Sequence, residues 1–153
     1  MTVREALTDE LQSAAHRVAG ARHWPDVVAS AYAGFELATR TTRALVDACP
    51  SEQHARLAEA ESAATDGRDI LRAAPGRMNA FGSLGSPIVL DADGVDATET
   101  ALGRLAGALH DRFGMALDEP LNADELVAFS QTMDAADRLQ RAISPEADDD
   151  DLP

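Results

Sequence analysis

Apolar residues return every three to four positions along most of this chain, the spacing of helices that each bury one face. Val3, Leu7, Leu11, Ala14 and Val18 form the first such stripe, with Thr2 and Glu5 placed as a capping box at its start. This predicts a helix that ends between Gly20 and His23. The next begins with Pro25 in its first turn, where a missing amide hydrogen costs nothing. Trp24, Val28, Ala31, Phe35, Ala38, Thr42, Leu45 and Cys49 run down one face of it, and Val27, Tyr32, Leu37 and Val46 add a second strip. A helix with two apolar strips is expected at the centre, covered on two sides.

Pro50 stops that helix, and Ser51 is placed to cap a third over 51–74, with a seam of Leu57, Ala60, Ala64, Gly67 and Leu71. Glu52 and Arg56 have the spacing of a surface ion pair on it. Gly67 costs a helix interior roughly 1 kcal/mol against Ala, so it marks a close approach or a bend. Pro75 and Gly76 end the segment. Asp96 and Glu99 repeat the capping spacing before a fourth helix over 97–113, which carries Leu102, Leu105, Leu109 and Phe113. Gly103 and Gly107 lie on another face at a spacing that suits close helix packing. The fifth, 123–143, starts from an Asn122/Glu125 capping pair and presents Leu126, Phe129, Met133, Ala136 and Ile143.

These elements predict an all-α protein, an antiparallel bundle of about five helices in one domain over 1–143. The first three helices are expected to form an up-down-up core. A long irregular crossover loop spans 75–96, and 144–153, with four consecutive aspartates, reads as a disordered acidic tail. Composition agrees: 45% of residues are hydrophobic but only 4% aromatic, which suits helices packed through small side chains.

Charge narrows the function. The 13 basic residues are all Arg and face 27 acidic ones, a net of -14 that opposes contact with nucleic acid or an anionic membrane. Without Lys there is no Schiff-base or P-loop lysine. The charge is uneven, because residues 1–74 hold 8 Arg against 11 acids, and 75–153 hold 5 against 16. The single cysteine, Cys49, reads as a small buried hydrophobe, and the start of the chain reads as a charged helix rather than a signal peptide. With no apolar run long enough for a membrane span, a cytoplasmic protein is expected.

Few residues suggest chemistry. Asp91, Asp93 and Asp96 invite a calcium reading, but an EF-hand counted from Asp91 would place Val95, Asp96 and Leu102 where it needs a ligand, a glycine and a carboxylate. A turn at Asp93–Gly94 and a helix cap at Asp96 explain the same aspartates. Gly82, Gly85 and Ser86 lack the ending of a phosphate loop. Arg77 and Asn79 could hold an anion or a partner's carboxylate, and with Phe81 they are the candidate binding residues of the loop. His16, His23, His54 and His110 lie on separate segments without the Glu-x-x-His pattern of a bundle di-metal site, and no nucleophile elbow is present. Tyr32 and Glu36 have a spacing that resembles the helical secretion signal of small helical secreted proteins of actinobacteria, although there it follows the helical hairpin and here it falls mid-helix.

The expected function is a non-enzymatic helical interaction or regulatory module, self-associating or holding a protein partner, without cofactor. One alternative is an acidic decoy that occupies the basic nucleic-acid-binding surface of a partner. Another is a small-molecule binder or enzyme with a site under the 75–96 loop, since structureless loops of that length are uncommon unless functional.

Overall fold

The computed structural model describes residues 3–73 and 88–144. Thr2 of the Thr2/Glu5 capping pair, the candidates Arg77, Asn79 and Phe81, the 82–86 glycine segment and all of the tail except Ser144 lie outside the described residues. Among the described residues five helices pack together: α1 (Val3–Gly20), α2 (Trp24–Ala48), α3 (His54–Ala73), α4 (Val95–Ala116) and α5 (Ala123–Ile143). No strand occurs among the described residues. Short 3-10 turns at Ser51–Gln53 and Ala92–Gly94 lead into α3 and α4.

The predicted seams are the buried ones. Leu7, Leu11, Ala14 and Val18 of α1, and Leu57, Ala60, Ala64 and Leu71 of α3, turn into one core with Phe35, Phe113 and Phe129. Both strips of α2 are covered, because α3, α1 and α4 all pack against it. The core is not built from the first three helices alone. α1 leans chiefly on α4, and α3 is shared between α2 and α5, so the contacts run as a ring of α1, α2, α3, α5 and α4. The wide apolar stripe of α4 is what lets it serve both α1 and α5.

Three neighbouring pairs show their direction through facing residues. Arg43 meets Glu61 and Glu36 meets Arg68 across α2 and α3. Asp66 and Arg138 pair across α3 and α5, while Arg56 reaches Ala142. Gly103, Gly107 and Gly114 of α4 lie against Ser144, Gln140 and Met133. In each pair numbering rises on one helix as it falls on the other, so these neighbours are antiparallel.

Gly67 marks a close approach. A Cβ built there would sit 2.4 Å from the Phe35 ring, so the glycine lets this fully buried ring of α2 lie on the α3 backbone. Arg112, only 7% exposed, donates from Nε to the carbonyl of Ala21 just past α1 and lies 5.6 Å from the Trp24 ring centroid. Trp24 in turn stacks on Phe129 at 4.6 Å, which ties the α1–α2 joint to α5.

The caps divide in outcome. At α5, the Asn122 side chain accepts from the Glu125 amide and Glu125 accepts from the Asn122 amide, the full predicted box. Ser51 and Asp96 do not cap. A 3-10 turn precedes each helix, which places Ser51 inside the first turn behind Pro50, and Asp96 one residue into α4 behind Gly94. Leu126 also departs from expectation, 48% exposed on the outer side of α5. Of the Ile88–Val89–Leu90 triplet, Ile88 and Leu90 pack on the core and Val89 is 73% exposed.

Candidate functional site

The α3–α5 pair has a concavity at each end, and the two differ in chemistry. At the start of α3, a cavity of about 440 Å³ is lined by Cys49, Gln53, Arg56, Asp96, Glu99 and Ile143, among others. Arg56 does not form the expected surface pair with Glu52. It turns inward instead, with Nε donating to Gln53 Oε1 at 3.0 Å and Nη2 to Glu99 at 2.7 Å. Its Nη1 donates to the carbonyls of Ala142 and Ile143, at 3.1 and 3.3 Å. These are the last carbonyls of α5, which no intrahelical amide can reach, so Arg56 closes that helix end.

With all three of its nitrogens occupied, Arg56 is engaged as a fastener and is poorly placed to take an anionic ligand. The neighbouring thiol is equally unsuited to nucleophilic work. Burial and the Glu99 carboxylate push the Cys49 thiol above its ordinary value, Arg56 opposes them, and Asp96 adds to the rise. His54 is committed too, its Nε2 lying 3.1 Å from the Cys49 carbonyl oxygen.

At the other end, a groove of about 620 Å³ runs between the last turns of α3 and the first turns of α5. Ile70 and Ala73 form one wall and Val127, Ala128 and Gln131 the other, with Asp69 and Asp124 on the two rims. Val127 is 56% exposed. The Arg residues of this part of α3 reach toward α2: Arg68 pairs with Glu36 at 3.4 Å as well as with Asp69 at 3.2 Å, and Arg72 donates to the Tyr32 hydroxyl. Burial works against the Arg68 charge, but Asp69 and Glu36 outweigh it and hold the guanidinium above its ordinary value.

The residues singled out for chemistry do not converge. Asp91, Asp93 and Asp96 are all exposed, before, within and after the second 3-10 turn, and no cluster of three or more metal-ligating side chains exists among the described residues. His16, His23 and His54 are exposed and His110 half-buried. Tyr32 and Glu36 are no displayed signal, since Tyr32 is 5% exposed with its hydroxyl accepting from Arg72, and Glu36 pairs with Arg68. The groove was missed because its walls lie about 55 residues apart in sequence, as from Ile70 to Val127. The one local signal was Val127 beside Leu126, an apolar residue in excess of the buried stripe.

Comparison with protein-family models, with curated proteins and with solved structures finds no match for this chain. Among the described residues, no helix is long and apolar enough to cross a membrane.

Proposed function

We propose that this chain is a non-enzymatic helical interaction module of the cytoplasm that holds a protein partner in the groove between α3 and α5. The observation that carries the reading is the exposed apolar wall of that groove, with Val127 open to solvent opposite Ile70 and Ala73. Apolar surface left concave and polar-rimmed suits helix or strand docking better than catalysis, which needs convergent polar groups inside a pocket. The polar cavity at the other end offers such groups, but its Arg56 is already spent on α5 and Glu99.

Purification of the untagged protein and of Val127→Arg from the source cells tests this. A protein companion is expected with the parent chain and lost from the variant at an unchanged melting temperature. Companions identical in both would remove the groove from consideration. A small molecule retained in native mass spectrometry, with no protein companion, would favour the enzyme or small-molecule alternative instead.

A further inference from the structure

Resting on the groove as the docking face, we infer that its occupant is a basic amphipathic segment of a partner protein, with apolar side chains against Ile70 and Val127 and Arg or Lys toward Asp69 and Asp124. Both rims are acidic, and among the described residues no Lys, Arg or His lines the groove. Arg68 covers only part of one rim: it reaches Asp69 through Oδ1, and the Asp69 side chain remains 56% exposed. A carboxylate has about four acceptor positions, so a second cation can be taken there.

A second copy of this chain fits less well. It would bring a net charge of -14 toward another of -14, and groove against groove would set acidic rims face to face. An acidic or neutral partner segment would leave the same carboxylates uncompensated while the apolar floor is covered, which costs desolvation without a return. A cationic helix with one apolar face meets both demands at once.

Fluorescence anisotropy with the full chain tests the inference. The probe is a labelled peptide of about 14 residues made of Leu, Ala and Arg, with leucines on one helical face, and the control replaces Arg with Glu. The Arg peptide is expected to bind, with D69N/D124N weakening it about five- to tenfold and raised salt weakening it further. Val127→Arg should abolish binding, with Val127→Ser as the milder variant should the first melt early. D47N/D111N removes the same charge from exposed positions on α2 and α4, and should leave the Kd within about twofold.

Equal weakening by D47N/D111N would overturn the inference by reducing it to overall acidity. Preference for the Glu peptide at the groove would overturn it while the docking role stands, and binding of neither peptide would overturn it while the companion experiment decides that role separately. A concentration-dependent dimer lost in Val127→Arg would assign the groove to a second copy. Binding that appears only in M78S/F81S/L84S would assign it to the chain's own 74–87 segment.

Discussion

Successive residues in the last turns of α3 face two different surroundings. Toward α2, Gly67 receives the Phe35 ring, Arg68 pairs with Glu36, and Arg72 donates to the Tyr32 hydroxyl at 2.7 Å. Toward the start of α5, Asp69, Ile70 and Ala73 look across a groove at Asp124 and Val127. On the first flank the ring fills the space left by the glycine, and the two guanidinium groups meet a carboxylate and a hydroxyl. On the second, the described residues leave apolar surface open between two rims of the same sign, with Val127 56% exposed. A sealed interface of the first kind is what holds a fold together, and an unfinished one of the second kind is the surface proposed above to take a partner.

The largest expected effect lies on the sealed flank. Phe35→Ala should lower stability by roughly 3 to 5 kcal/mol in urea denaturation, as for a fully buried aromatic. A loss below about 1 kcal/mol would mean that this flank is not sealed. Next comes the closed end of the α3–α5 pair, where Arg56→Ala strips the caps from Ala142 and Ile143 and leaves Glu99 without its partner. A loss of about 1.5 to 3 kcal/mol is expected by the same measurement. An unchanged midpoint would show that this end is as open as the other.

Gly67→Ala sharpens the contrast through its sign. In the parent chain the added methyl meets the Phe35 ring, and overpacking of about 1 to 3 kcal/mol exceeds the gain of roughly 1 kcal/mol in helix propensity, so a modest net loss is expected. In a Phe35→Ala background the obstruction is gone, and the same change should stabilise by up to about 1 kcal/mol. Additive effects in the two backgrounds would contradict the close approach. The smallest effect belongs to the open flank, where Val127→Ser should shift stability by no more than about 0.5 kcal/mol, since the side chain is 56% exposed. A larger loss would show that the groove wall is already covered.

Much of the fold was legible because helical spacing is a local signal. The α5 range of 123–143, the Asn122/Glu125 box and the seam from Leu57 to Leu71 follow from residues three or four apart. Gly67 announced a close approach, though not that Phe35 would fill it. The misplaced caps at Ser51 and Asp96 have one cause: a 3-10 turn inserts three residues before the helix, and its hydrogen bonds leave no pattern of apolar positions to read. Arg56 was misjudged for a different reason. Its spacing to Glu52 suggested a surface pair, but carbonyls 86 and 87 residues away offered a charged donor more than an exposed carboxylate could.

The sequence by itself determined that the chain is helical, where most helices run, which faces they bury and the acidity that any partner must meet. These depend on periodicity, composition and charge, which need no knowledge of neighbours in space. Only the tertiary structure decided that α1 leans on α4, that Arg56 closes α5 while Arg68 turns to α2, and that Ile70 and Val127 face each other across an acidic-rimmed groove. Those depend on which helices become neighbours, and an amphipathic stripe specifies that a face is buried without specifying against what.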